Sequence, residues 1–415
     1  MERRKIQSLH GGTGDKDSLS AIPIKSTPLF KLIYCNWTMN NKVKILIVFK
    51  INLYMNLLEY QLLFIKKKGG YMGIRLELWI DDYIEEEEIK ALIYDLGFED
   101  SEGENVYLWY KRENFESLQG CGFAFGYDIE KGENKFVDFL GIGENMQYVK
   151  TLCRSQTFAG RSYEDLEMQN EVIRKLQDKF GGNIYASTNG KSEFIRNYIT
   201  KLTPTEKGCG VAYQKFQNNI GKAMDLIQDV DEDIISNSFL AERDRSLLSN
   251  NILIPFMVTV LETFLKTFFK TFLMTNKNAS EKAARNVMNK TVSLKPSVLK
   301  DLRDGKLTNI DVITREYSFQ NIPNINAAYN EYLSCNIYEI LNKRIDYKGK
   351  FVSIKEVLYE LIRSRHKIIH EADMDKTLVR EKLDKYIFFL VVFGEEFIKM
   401  FKKNKGLRLD IRNYL

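Results

Sequence analysis

Ile74-Arg75-Leu76-Glu77-Leu78-Trp79-Ile80 alternates apolar and polar side chains, the pattern of a half-buried strand, and residues 85–96 change to helical spacing before Gly97. Strand-like runs follow at 106–110, 122–127 and 135–140, separated by turns rich in Glu, Gly and Asn. A helical pattern over 163–179 stops at Gly181-Gly182, and Ile184-Tyr185-Ala186 reads as one more short strand. The spacing therefore predicts an α+β domain over 72–205 with an antiparallel sheet.

Beyond Pro204 the pattern becomes long apolar helices with few glycines: 212–227, 240–275, 279–289, and three more after Ile325. This half reads as an all-helical bundle over 240–403, joined by a helical connector at 206–239 and followed by a basic tail at 404–415. A polar insertion at 276–345 carries Pro296, Gly305 and Pro323, with helical pieces at 297–304 and 325–341. Residues 252–274 are apolar enough to suggest a membrane, but Glu262, Lys266 and Lys270 recur every four residues as the polar stripe of a soluble helix. Pro255 is expected to kink that helix or mark its start. The run Tyr386-Ile387-Phe388-Phe389-Leu390-Val391-Val392-Phe393 is too short to span a bilayer, so it belongs in a bundle core or a subunit interface.

Residues 1–71 share neither pattern. Lys66-Lys67-Lys68-Gly69-Gly70-Tyr71-Met72 has the coding character of a ribosome-binding site read through by mistake, which predicts a functional start at Met72 and a leader, or a disordered extension, before it. A membrane anchor at 45–65 is the rival reading, against which Lys50 and Glu59 interrupt the apolar run.

Composition changes the picture little. A net charge of +5 with 28% charged residues excludes a global basic field, so any nucleic-acid contact must come from a local patch. Five scattered cysteines, at 35, 121, 153, 209 and 335, form no zinc spacing and suggest reduced thiols in a cytoplasmic protein. Gly120-x-Gly122-x-x-x-Gly126 and Gly141-x-Gly143 lack the tight spacing of a nucleotide loop and read as sheet bends. The acidic run 85–88 suits the first turn of a helix, and Arg154, Arg161 and Arg174 are candidate phosphate contacts. No catalytic constellation stands out in this domain, which is assigned to sensing or regulation.

Candidate chemistry concentrates in Arg363-Ser364-Arg365-His366-Lys367-Ile368-Ile369-His370-Glu371, which holds two of the three histidines of the chain; the third is His10. Residues 351–369 read as one helix with Leu358, Leu361, Ile362, Ile368 and Ile369 on its apolar face, and Arg365 falls near the middle of that face. A charge placed there needs a partner or a ligand. His366, His370 and Arg363 fall together at the edge of the same stripe. Three readings follow. Arg365 pairs with an acidic core residue such as Glu262 while the histidines cap the helix end; or His366 and His370 bind zinc, although His-Lys-Ile-Ile-His lacks the glutamate of H-E-x-x-H; or the segment cleaves RNA without a metal, with histidine taking the 2′-hydroxyl proton and arginine steadying the charged transition state.

Arg365-His366-Lys367-Ile368-Ile369-His370 resembles the R-x4-6-H signature of the HEPN superfamily, with a polar residue after the arginine and two apolar residues before the histidine. The long helix containing Val260-Leu261-Glu262-Thr263-Phe264, the late motif helix and the final apolar helix are similar to that family's bundle over about 240–403. The resemblance implies a homodimer whose two motifs meet to form a metal-independent endoribonuclease that requires no cofactor, of the kind found in toxins and in abortive-infection antiviral defence. It implies Arg365 as transition-state stabiliser, His370 as acid/base and His366 as polar partner, with Arg363 as the alternative arginine and Glu262 as a support. RNA is then the substrate, an antitoxin or a phage component a possible regulator, and no membrane is involved. A non-catalytic HEPN module that binds RNA or protein is the alternative.

Overall fold

The predicted first strand, β1 (Ile74–Ile80), occupies an inner position in a six-stranded sheet of order β2-β3-β4-β5-β1-β6 in a computed structural model of the chain. The structure describes residues 73–101, 105–111, 115–130, 148–186, 193–231, 234, 238–289 and 294–411. The leader, Met72, the expected strand at 135–140 and Gly141-x-Gly143 lie outside these. The other strands are β2 (Glu99–Asp100), β3 (Val106–Trp109), β4 (Cys121–Glu130), β5 (Tyr148–Thr157) and β6 (Asn183–Ala186), and every pairing is antiparallel. The ten-residue β5 was not expected from the pattern. Its central run, Thr151-Leu152-Cys153-Arg154-Ser155, sets a charged side chain on the outer face and small polar ones on the inner face, which hides the alternation.

Helices α1 (Glu86–Asp95) and α2 (Tyr163–Phe180) cover the inner face of the sheet. Leu76, Leu78 and Ile80 pack there with Ile89 and Ile93 of α1 and Val172, Ile173 and Leu176 of α2. The Glu86, Glu87 and Glu88 carboxylates occupy the first turn of α1 as expected, and Glu88 pairs with Lys179 of α2 at 3.0 Å. Gly120 has a φ of 82° at the entrance to β4, so the first glycine of the motif serves the turn into that strand, and Gly122 and Gly126 lie within it.

The helical part starts at α3 (Pro204–Asp225), eight residues ahead of the expected 212, because Thr203 and Glu206 form a reciprocal cap around Pro204 in the first turn. After a short α4 (Ser238–Ala241), the bundle is built on α5 (Arg245–Thr275), capped by Asp244. Pro255 lies inside α5 and does not mark its start. The helix is long and apolar enough to cross a membrane, yet Phe264, Phe268 and Phe269 are buried against Phe216, Tyr329 and Phe397. The expected polar stripe divides: Lys266 is exposed, Lys270 pairs with Asp311 at 2.7 Å, and Glu262 turns inward.

The insertion contributes α6 (Lys277–Asn289), α7 (Pro296–Arg303) and α8 (Asn309–Glu316). The single helical piece expected at 325–341 is broken into α9 (Ile322–Ala328), a π-turn at Tyr329–Leu333, and α10 (Tyr338–Leu341). Buried Tyr329 donates its hydroxyl to Leu265 O of α5 at 2.8 Å, which sets the place of the widened turn. A hairpin, β7 (Arg344–Tyr347) and β8 (Lys350–Ser353), then precedes α11 (Ile354–His366). Phe351 therefore belongs to a strand and not to the expected helix at 351–369; Lys348 and Gly349 both take positive φ in the tight turn.

The last helix, α12 (Arg380–Lys405), buries Tyr386, Phe389, Phe393, Phe397 and Phe401. Of the expected basic tail at 404–415, residues 404 and 405 end α12, 412–415 lie outside the described residues, and the stretch between them docks back on α3. Leu409 and Ile411 are buried, Ile411 lies against Gly210, and Arg408 Nε donates to Glu206 at 2.8 Å. Next to that clasp, buried Lys207 of α3 donates to Glu116 O at 2.7 Å and to Glu164 at 2.8 Å, tying the helical part to the sheet layer.

Candidate functional site

The motif straddles two kinds of helix. Arg363, Arg365 and His366 occupy the last turn of α11, whereas His370 lies in a π-turn at Lys367–Glu371 that ends with Ala372 in the left-handed region at φ 52°. The Ala372 amide donates to Lys367 O, the five-residue span of a π-turn. One extra residue per turn carries Ile369 off the apolar face. Leu358 and Leu361 are buried and Ile362 and Ile368 half-buried, but Ile369 is 52% exposed, contrary to its expected core position.

His366 and His370 are both exposed, with ring centroids 4.5 Å apart and planes at 45°. Neither imidazole hydrogen-bonds to another described residue. Arg363 is also exposed, its Nε donating to Tyr359 O at 3.4 Å. Arg365 is half-buried and close enough to Glu262 of α5 for its charge to act on that carboxyl, but the two do not form the ion pair that one of the three readings expects. Desolvation raises the Glu262 pKa, and the Arg365 charge opposes that rise. Glu262 Oε1 is buried without a hydrogen-bond partner. A cavity of about 20 Å³ lies beside it, bounded by Leu261, Glu262, Gln320, Leu358 and Ile362. That volume suits a single water.

The segment leaving the π-turn is fixed by polar side chains that the sequence reading did not select. Asn251 of α5 accepts from the Asp375 amide at 2.8 Å and donates to its carbonyl at 3.0 Å. The Asp375 carboxylate accepts from Lys382 at 2.6 Å and from Thr377 at 2.6 Å. Desolvation pushes its pKa up, but these donors outweigh it and the net shift is downward. The available signal was Asn250-Asn251 inside an apolar run. Both are fully buried, and Asn250 bonds the backbone of Gln228 and Leu378.

Elsewhere the sequence candidates are not brought together. Arg154 pairs with Glu77 at 2.7 Å, Arg174 pairs with Glu171 and lies over Phe194, and Arg161 lies near Asp165. Among the described residues, no group of three or more His, Cys, Asp or Glu side chains converges to hold a metal ion. The structure thus sets His366, at the end of α11, beside His370 of the π-turn, and separately places Arg365 within electrostatic reach of Glu262 of α5, with Arg363 exposed in the last turn of α11. No family model matches the chain, and neither characterised proteins nor solved structures give a match.

Proposed function

We propose that the chain is a metal-independent endoribonuclease of the HEPN type that acts as a homodimer in the cytoplasm. The observation that carries this reading is the exposed pair of imidazoles 4.5 Å apart, one residue from the half-buried Arg365. In the reaction, one histidine takes the proton of a ribose 2′-hydroxyl and the 2′-oxygen attacks phosphorus. The bond from phosphorus to the 5′-oxygen breaks, a second group protonates that oxygen, and a 2′,3′-cyclic phosphate remains. Arg365 steadies the charge on the phosphoryl oxygens. His370 is the acid/base and His366 its polar partner.

The dimer draws support from apolar exposure around the motif. Ile369 and Met374 flank His370, and Ile252 follows the Asn251 that holds the Asp375 backbone; all three are exposed. A second copy seated there would bring two histidine pairs to one cleft. A toxin or abortive-infection effector controlled by the sheet layer, and by an antitoxin or phage component, is the role this activity suits.

A second reading, a non-catalytic HEPN module that binds RNA or protein, rests on the absence of an orienting hydrogen bond to either imidazole among the described residues. Incubation of total RNA with purified protein in EDTA separates the two. Cleavage that leaves cyclic phosphate ends and disappears in Arg365→Ala and His370→Ala supports the nuclease, and equal outcomes for all three proteins remove it. Growth arrest on expression, relieved by His370→Ala, tests the biological role.

A further inference from the structure

We infer that Lys382 of α12 is the positioning residue for the His366–His370 pair, because its ammonium joins the two carboxylates that bound the motif segment, Glu360 before it and Asp375 after it; the inference rests on the ribonuclease reading only in treating that pair as a site of cleavage. The segment has no core anchor of its own. No side chain from Ile362 to Met374 is buried, and beyond His366 the α-helix gives way to the π-turn, whose exit is closed by the Ala372 and Asp373 amides, both donating to Lys367 O. A stretch with so few buried contacts opens readily, so its shape is set where its ends are pinned.

Both ends are pinned to one face of α12. Lys382, Lys385 and Tyr386 follow helical spacing and so lie side by side. At the entry, Glu360 accepts from the Tyr386 hydroxyl at 2.9 Å and lies 3.5 Å from Lys385 Nζ. Tyr386 is buried, and its hydroxyl also reaches Ser364 inside the motif. At the exit, the Asp375 carboxylate accepts from Lys382 at 2.6 Å, and the same ammonium lies 3.9 Å from Glu360. The nearest oxygens of the two carboxylates are therefore no further apart than those two distances together. Among the described residues, Lys382 alone pairs with both.

An exposed ion pair usually stabilises a fold little. Lys382 and Asp375 are half-buried instead, and removing the ammonium leaves two like charges facing each other across the base of the segment. The entry side does not yield, because buried Leu358 and Leu361 anchor α11. Asn251 ties the Asp375 backbone to α5, whereas Lys382 relates Asp375 to α11. His366 belongs to that anchored helix and His370 to the turn that leads to Asp375, so the spacing of the two rings is the quantity that Lys382 sets.

The test uses the full chain with its histidines carbon-labelled at Cε1 for NMR, a clean probe because the chain holds only three. Lys382→Met removes the charge and keeps the aliphatic stem, and Lys382→Arg restores a cation. In Lys382→Met the His366 and His370 ring signals are expected to shift, since rings 4.5 Å apart shield one another. Hydrogen exchange at the Ala372 and Asp373 amides should quicken by about tenfold or more while α5 and α12 keep their rates. Lys382→Arg should return both readouts towards those of the unchanged protein. Cleavage of RNA in EDTA should lose roughly 10- to 100-fold in kcat with little change in KM, the cost of misplacing a reacting group by about 1 Å. Unchanged ring signals and exchange in Lys382→Met overturn the inference. Quickened exchange throughout the bundle, or no recovery in Lys382→Arg, does so as well, because either marks a contact that serves packing alone. The two readings fail separately. Ring and exchange responses in a protein that cleaves no RNA sink only the nuclease, whereas cleavage untouched by Lys382→Met sinks only the positioning role.

Discussion

His366 and His370 place their rings 4.5 Å apart although the first closes an α-helix and the second sits in a π-turn. The widened turn is where Ile369 leaves the core and where the chain must reverse at Ala372 with a positive φ. π-turns concentrate at functional sites because regular α-helix is the lower-energy state. The unusual backbone therefore carries His370, and begins one residue after His366.

Ala372 in the left-handed region carries a backbone penalty that glycine avoids. Ala372→Gly is expected to leave the fold unchanged and to raise stability by about 0.5–1 kcal/mol. Urea unfolding followed by circular dichroism measures this. A loss of stability would show that the methyl group makes a packing contact worth more than the strain.

The two arginines differ in setting, which assigns their roles. Arg365 is half-buried opposite Glu262, whereas Arg363 is exposed and tethered only to Tyr359 O. Arg365→Ala is expected to lower the rate of RNA cleavage by roughly 10²-fold or more, the usual cost of removing a transition-state donor. Arg363→Ala should lower it by less than about tenfold and act mainly on substrate affinity. Initial rates at saturating and limiting RNA check the split, and the reverse order would move the role to Arg363.

Glu262 holds an unpartnered buried oxygen, and burial raises its pKa. Because the folded-state value is raised, ionisation at neutral pH weighs against the folded state, and this burden lifts as pH falls through the folded pKa. Glu262→Gln removes the charge and keeps the shape. Its melting temperature is expected to equal or exceed that of the unchanged protein at neutral pH, with the difference shrinking in mild acid. Cleavage should still fall, since Arg365 loses the charge of Glu262 that acts on it. Thermal melts at two pH values, read beside activity, separate the two effects.

Much of this arrangement was legible in the sequence, and the gaps have physical causes. The alternation at Ile74–Ile80, the double-glycine stop after α2 and the apolar stretches of α5 and α12 are local signals, and each element formed where they pointed. The α+β class followed from them. β5 escaped because Thr151 and Ser155 are buried by contacts with distant segments, Thr151 with Asp82 O and Ser155 with Gln169 O. Likewise, the motif residues could be chosen from histidine scarcity, but the π-turn could not be foreseen. The segment that leaves it is held by Asn251 at Asp375, a contact across 124 positions. The docking of Arg408 and Ile411 on α3 is equally nonlocal, so a segment that looks like a charged tail proves to be part of the core.

That docking is expected to set the acid limit of the fold. Burial would push the Glu206 carboxyl up, but hydrogen bonds from the Arg408 side chain and from the Thr203 and Arg408 amides outweigh it and bring the pKa to about 2. A depressed folded-state value means that the stabilisation is complete above the unfolded carboxyl pKa and is lost as pH falls towards the folded value. Glu206 is almost wholly buried, so the shift corresponds to roughly 3 kcal/mol of pH-dependent stability. Urea midpoints should fall steeply between about pH 4.5 and pH 2. Arg408→Ala should flatten that limb while lowering stability at neutral pH, because it leaves a buried carboxylate without its cation. An acid limb of unchanged steepness in Arg408→Ala would assign the transition to other carboxylates, among which Asp311, also brought to about 2 through Lys270 and Thr308, is the next to replace.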